Sequence, residues 1–283
     1  MSKVIASIDG SKSTLSVCDY SAWFSKALDA PLELLHVVEK SSVRSPQDFS
    51  GALSLGGGEI LLEEMVQLEE AKAKVELQHS ELLLQDAKEY LQEKHQIQPH
   101  VFQRHGNLLD TIVAIEEEFR VLIMGKQGKQ TSQLSDKIGT QIENVVRAIH
   151  KPVLITSSPF EQPTSFLIAF DGSPTAKTCV QRICSSPLLV GLQAHLVYVG
   201  EPSQEMQQEI AWAKEELKQA GYSLQTQILQ GEVEKTIIDY ADELQISMLV
   251  VGAYGHSKVR QFFIGSSTTK LISRSTKPLL LLR

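Results

Sequence analysis

Short runs of β-branched and aliphatic residues alternate along this chain with longer stretches whose apolar positions fall at helical spacing. Val4-Ile5-Ala6-Ser7-Ile8, Leu34-Leu35-His36-Val37-Val38, Val121-Leu122-Ile123-Met124 and Val153-Leu154-Ile155 are bounded by Gly, Pro, Asp or charged residues and read as buried strands. Phe166-Leu167-Ile168-Ala169-Phe170, His195-Leu196-Val197-Tyr198-Val199, Met248-Leu249-Val250-Val251 and Leu279-Leu280-Leu281 read the same way further on. Residues 98–104 add another strand, and residues 207–220 and 233–244 read as amphipathic helices. Between 59 and 95 the apolar residues Ile60, Leu61, Met65, Leu68, Val75, Leu82, Leu83, Ala87, Tyr90 and Leu91 predict one long helix. Strand–helix alternation predicts a parallel sheet covered on both faces. In such sheets ligands bind at the carboxyl ends of the strands, where the strand order reverses.

The pattern occurs twice. Val4-Ile5-Ala6-Ser7-Ile8-Asp9-Gly10-Ser11 is matched by Phe166-Leu167-Ile168-Ala169-Phe170-Asp171-Gly172-Ser173. Leu34-Leu35-His36-Val37-Val38 is set against His195-Leu196-Val197-Tyr198-Val199, which pairs Val37 with Tyr198. Gly106-Asn107-Leu108-Leu109 answers to Gly231-Glu232-Val233-Glu234, Gly125-x-x-Gly128 to Gly252-x-x-Gly255, and Lys151-Pro152 to Lys277-Pro278, all in the same order. The chain therefore reads as two homologous α/β domains, 1–158 and 165–283, each a doubly wound parallel sheet of five strands. A Pro-containing linker lies between them. Asp9 to Gly125 spans 116 positions but Asp171 to Gly252 only 81, and the surplus of 35 falls on a Ser/Gly-rich loop and long helix at about 40–95. An ordinary cover helix with a long entry loop, a lid and a partner-docking arm are all open readings of that insertion.

Composition narrows the class. With 283 residues, 42% hydrophobic and 22% charged, the chain has the make-up of a globular protein, and two domains fit its length. No apolar run approaches the ~18–20 residues that span a bilayer, and the amino-terminal apolar segment is too short for a secretory signal. A net charge of −7 argues against non-specific binding to nucleic acid or anionic lipid. Cys18, Cys179 and Cys184 show no C-x-x-C spacing and read as buried thiols of a reducing cytoplasm.

The candidate chemistry is in the glycines. Gly252-x-x-Gly255 is followed after nine residues by Gly265-Ser266-Ser267, directly after an apolar strand. Glycines let the backbone approach a ligand, Ser266 suits the N-cap of a helix running to about Arg274, and a helix N-terminus favours phosphate. His256, Lys258 and Arg260 supply positive charge nearby. The spacing is neither a Walker A loop nor a dinucleotide fingerprint. A phosphate cradle and plain turn glycines are both compatible with it.

The strand-Asp-Gly-Ser opening, the short second strand and the G-x2-G-x9-G-S pattern resemble the universal stress protein family in its tandem type, over nearly the whole chain. That resemblance implies an adenine-nucleotide α-hydrolase-like fold, with the two copies paired inside the chain as a pseudo-dimer. It also implies ATP, with or without Mg²⁺, in a regulatory stress-response role. Asp171 and Tyr198 would take the nucleoside end; Gly252, Gly255, His256, Gly265, Ser266 and Ser267 the phosphate end. A second site would use Asp9, Val37, Gly125, Gly128, Gly139 and Thr140. There Gly139 follows after ten residues rather than nine, and the nearby charge of Asp136 opposes a phosphate. The second domain is thus the expected home of the nucleotide. The resemblance also implies dimerisation through edge strands.

No nucleophile or general base with a plausible partner is visible, so catalysis is expected to be absent or limited to slow ATP hydrolysis. A nucleotide-free interaction module and an enzyme of ATP or AMP chemistry remain as alternatives. His95, His100 and His105 lack accompanying carboxylates and, on a strand, His100 and His105 point to opposite faces, so no metal site is expected. Trp23 and Trp212 read as packing residues, and Glu116-Glu117-Glu118 as a solvated face.

Overall fold

The computed structural model describes residues 2–38, 58–126, 140–157, 159–252 and 266–283. The first half runs β1 (Lys3–Ser7), α1 (Thr14–Leu28), β2 (Leu32–Val38), α2 (Gly58–His95), β3 (His100–His105), α3 (Leu108–Ala114), β4 (Phe119–Gly125), α4 (Thr140–Ala148) and β5 (Val153–Thr156). The second runs β6 (Ser165–Ala169), α5 (Pro174–Ser185), β7 (Gln193–Val199), α6 (Gln204–Gln219), β8 (Leu224–Leu229), α7 (Val233–Glu243), β9 (Met248–Gly252), α8 (Ser266–Arg274) and β10 (Leu279–Leu282).

Among the described residues ten strands form one sheet in the order β3-β2-β1-β4-β5-β10-β9-β6-β7-β8. Among the described residues every pairing within a half is parallel and only that of β5 with β10 is antiparallel, with Leu280 opposite Leu154. The strand closing each half has thus found its partner in the other half of the same chain. The sheet's open edges are β3 and β8, not the closing strands that an edge-strand dimer would have used.

Continuous apolar runs make this arrangement possible. Alternate residues of a central strand point to opposite faces, so both faces need cover. Val4 and Ala6 pack on the face of α1, α2, α5 and α6, while Ile5 packs with α3, α4, α7 and α8 on the other. Leu280 and Leu154, at the junction of the halves, are fully buried on the first face.

Caps set several helix starts. Ser203 accepts from the Met206 backbone N–H (3.2 Å), so α6 begins at Gln204, three residues before the expected start. Asn107 caps α3 through the N–H groups of Leu109 (2.8 Å) and Asp110 (3.3 Å). Glu116, expected on a solvated face, instead accepts from the backbone N–H groups of His150 and Lys151 and fixes the entry to β5. The linker is anchored as well: Phe160 meets Tyr20 of α1 edge-on at 4.8 Å, and Thr164 N–H donates to Ser247 Oγ at 3.1 Å.

Further bonds cross between the halves. Lys126 Nζ donates to the carbonyl of Ser275 at 2.9 Å, and Ser157 Oγ to that of Thr276 at 2.7 Å, both just past α8. In return, Arg283 donates to the carbonyls of Val146 (2.7 Å) and Arg147 (3.0 Å) in the last turn of α4.

Candidate functional site

In each half the strand order reverses at the first strand. β1 lies between β2 and β4, and β6 between β7 and β9. The crevices between β1 and β4 and between β6 and β9 are therefore the places where loops part and a ligand can enter.

Asp9 and Asp171 stand at the mouths of these crevices, two residues past the last residue of β1 and β6. They make the same turn. Asp9 Oδ1 accepts from the Ser11 N–H at 3.0 Å and Asp171 Oδ1 from the Ser173 N–H at 3.0 Å. Gly10 and Gly172 follow with φ of +74° and +72°, a left-handed conformation that glycine adopts without strain. Asp171 is exposed and Asp9 half-buried. Ser173 then caps α5 by accepting from the Ala176 N–H at 3.2 Å, with Pro174 in the first turn; Ser13, before α1, makes no such bond.

Gly125 and Gly252 end β4 and β9 on the far side of the same crevices. A Cβ on Gly252 would lie 2.8 Å from the Thr175 carbonyl oxygen, and one on Gly125 only 2.4 Å from Ser13 Cβ. Both glycines are needed because the start of the neighbouring helix presses on the strand end. Gly255, His256 and Gly265, like Gly128 and Gly139, lie outside the described residues. Helix α8 begins at Ser266 itself, one residue before the expected start, and includes Ser267; α4 begins at Thr140. Both helices follow their glycine segments, so their N-termini are turned toward the carboxyl ends of the strands.

Tyr198 sits half-buried on β7. Its equivalent in the first half is not Val37. Ser7 pairs with Leu35 and Ala169 with Val197, which makes His36 the match of Tyr198. The bonds from Ile8 N–H to Leu35 O and from Phe170 N–H to Val197 O, both 2.9 Å, give the same register. A slip of one residue turns a side chain to the other face. Tyr198 accordingly packs on the face of α5 and α6, whereas Val37 packs on the face of α3 and α4. His36, which the sequence comparison passed over, is bonded through Nδ1 to Ile8 O at 2.7 Å, directly before Asp9.

A helix roofs each Asp-Gly turn. Leu83 and His79 of α2 lie over Gly10, and Met206 and Glu209 of α6 over Gly172. Among the described residues no group of three or more His, Cys, Asp and Glu could hold a metal ion. His95 is tied by Nε2 to Asp19 Oδ1 at 2.6 Å, while His100 and His105 are exposed on β3. His195, behind Tyr198, is buried and bonded to the Tyr240 hydroxyl at 3.0 Å; burial lowers its pKa from the ordinary 6.5. Cys18 and Cys179 are buried, with thiols pushed up to about 12 by desolvation, and Cys184 is half-buried with its thiol raised for the same reason. No described helix is long and apolar enough to cross a membrane.

Comparison with known proteins matches this architecture. A sequence model described as "Universal stress protein family" matches residues 1–157 and again 164–283. Universal stress protein Slr1230 of Synechocystis sp. is 32% identical over 287 residues and aligns with the whole of both chains. A solved universal stress protein from Archaeoglobus fulgidus superposes with a TM-score of 0.69 at 17% identity, covering 99% of this chain and 98% of the other. A second, described as a putative universal stress protein from Pseudomonas aeruginosa, gives 0.62 at 15% identity, covering 99% and 92%.

Proposed function

This chain belongs to the universal stress protein family, and on that premise we propose that it is an ATP-binding regulator which holds its nucleotide mainly in the second half. The observation that carries this reading is the crevice between β6 and β9. Its two flanking strands lead to an exposed carboxylate, Asp171, on a turn with left-handed Gly172, and to Gly252, a strand end that can carry no side chain.

The residues present fit an adenine nucleotide. Asp171 uses Oδ1 to close its own turn, which leaves Oδ2 to accept from a ribose hydroxyl, as acidic residues do at other switch-point sites. Tyr198 offers an aromatic surface at the nucleoside end. The N-terminus of α8, nine residues long, presents backbone N–H groups and a positive dipole end to phosphate. Gly255, His256, Gly265, Ser266 and Ser267 complete the phosphate end in this proposal. Bound ATP would supply charge and an ordering contact between the Asp171 turn and α8, and the protein's own groups would position it.

The first half supports binding less well. Its motif is one residue longer, the Ser13 side chain makes no N-cap bond to α1 as that of Ser173 does to α5, and His36 stands where the second half has Tyr198. Asp9, Gly125, Gly128, Gly139 and Thr140 would form that weaker site. No residue is assigned a catalytic role; turnover would be slow hydrolysis at most. Mg²⁺ would enter with the nucleotide.

Mass spectrometry of gently extracted protein tests the proposal. An adenine nucleotide should co-purify with the wild type and be lost from Gly265→Val. Absence of bound nucleotide together with no calorimetric response to ATP, ADP or AMP would refute it.

A further inference from the structure

Part of the first half's surplus lies on α2, whose His79 and Leu83 lie over Gly10 and whose amino-terminal part runs on beyond them. The buried stripe Leu84, Ala87 and Leu91 of α2 repeats Ile210, Ala213 and Leu217 of α6. By that match α6 begins where α2 has already reached Gln78, so residues 58–77 have no counterpart in the second half. At 1.5 Å per residue this is an arm of ~30 Å.

From 63 to 79 every side chain is exposed except those of Met65 and Glu76, which are half-buried. Leu68 is 71% exposed, Val75 63% and Leu82 63%. They recur every seven residues and form one stripe, with Met65, Lys72 and His79 alternating beside it at spacings of three and four. That is coiled-coil spacing, with Leu68, Val75 and Leu82 at d positions and Met65, Lys72 and His79 at a. An isolated helix of this length is marginal in water, and a seam of this kind gains its stability by packing against another helix.

Charge selects the occupant. In this register Glu64 takes a g position and Glu69 and Glu76 take e positions. A parallel second copy would set Glu64 against the other Glu69, and an antiparallel copy Glu69 against the other Glu76. Both self-pairings oppose like charges, whereas a helix with Lys or Arg flanking its own apolar seam meets opposite charge at Glu64, Glu69 and Glu76, the other flanking positions, Ala71 and Gln78, being uncharged. We propose that the α2 arm docks a basic, apolar-striped helix of another protein along the Leu68–Val75–Leu82 seam.

The full-length chain should be titrated with a labelled synthetic helix of about four heptads, with Leu at a and d and Lys at e and g. A control peptide carries Glu at e and g. The Lys-flanked peptide is expected to bind in the micromolar range, more weakly as salt is raised, and the control at least about tenfold more weakly. The double variant Leu68→Glu/Val75→Glu should lose about tenfold in affinity for the Lys-flanked peptide. Its helix content and nucleotide content should stay at wild-type levels, because those residues touch neither the core nor the crevice. Equal binding of both peptides, unchanged binding by the double variant, or a wild-type oligomer that the double variant dissolves would each overturn the proposal. The last result would make a second copy the occupant.

Discussion

At the scale of single residues the two crevices differ in a few side chains, and those differences are testable. Asp171→Ala removes the acceptor proposed for the ribose and should weaken adenine nucleotide binding about tenfold or more, since a hydrogen bond to a charged group contributes roughly 1.5–3 kcal/mol. Calorimetric titration measures this directly; Asp9→Ala should change the tight site little. His195 gives a pH effect of known sign. Burial holds its folded pKa below the ordinary 6.5, so the unfolded chain takes up a proton that the native chain refuses. Stability contributed by neutral His195 is therefore present above the ordinary value and is lost as pH falls through it. The melting temperature should drop between about pH 7 and pH 5, and His195→Gln should reduce that slope. Thiol chemistry is equally constrained: Cys18 and Cys179 are buried with thiols at about 12, so a disulfide reagent at neutral pH should reach them only after unfolding. The Asp-Gly turns were legible as residues, because an Asx turn needs only a local pattern. The match of His36 with Tyr198 was not: β2 and β7 are both apolar runs, and only sheet register distinguishes one alignment from its neighbour.

Among the elements, α2 separates what periodicity reveals from what it hides. The apolar spacing predicted a helix from 59 to 95, and the observed helix covers Gly58–His95. Spacing could not tell which apolar residues meet the sheet. Leu84, Ala87 and Leu91 are buried against it, while Leu68, Val75 and Leu82 stand in solvent. The carboxyl end of α2 is held by polar bonds that no periodicity signals. Buried Asp19 of α1 accepts from the Tyr90 hydroxyl (2.9 Å) and from Lys94 Nζ (3.0 Å), and is bonded to His95 Nε2 (2.6 Å). Residues 71 to 76 positions apart in sequence supply this clasp, so the carboxylate that holds His95 is not found near it in the sequence. Asp19→Ala should lower unfolding stability by about 2 kcal/mol in a denaturant titration, the order expected when a charged acceptor of several hydrogen bonds is removed. The starts of α8 and α4 were legible to within a residue or were set by their glycine motifs, since that spacing is local.

Across the whole molecule, the repeat predicted two parallel sheets, and the antiparallel β5–β10 pairing joins them into one. That joint follows from two apolar closing strands, each of which would otherwise expose an unpaired edge. The bonds of Lys126 and Ser157 behind α8, and of Arg283 behind α4, tie each half to the helix that follows the other half's glycine segment. The halves should therefore unfold together, in one calorimetric transition. Arg283→Ala should cost about 1–2 kcal/mol by removing two charge-assisted bonds to the end of α4. The sharpest measurement of the whole account is a calorimetric titration of ATP into the wild type, Asp171→Ala and Asp9→Ala. The account predicts one tight site per chain, abolished or weakened about tenfold by Asp171→Ala and left in place by Asp9→Ala. A wild type that takes no ATP, or an Asp171→Ala variant that binds like the wild type, would contradict it.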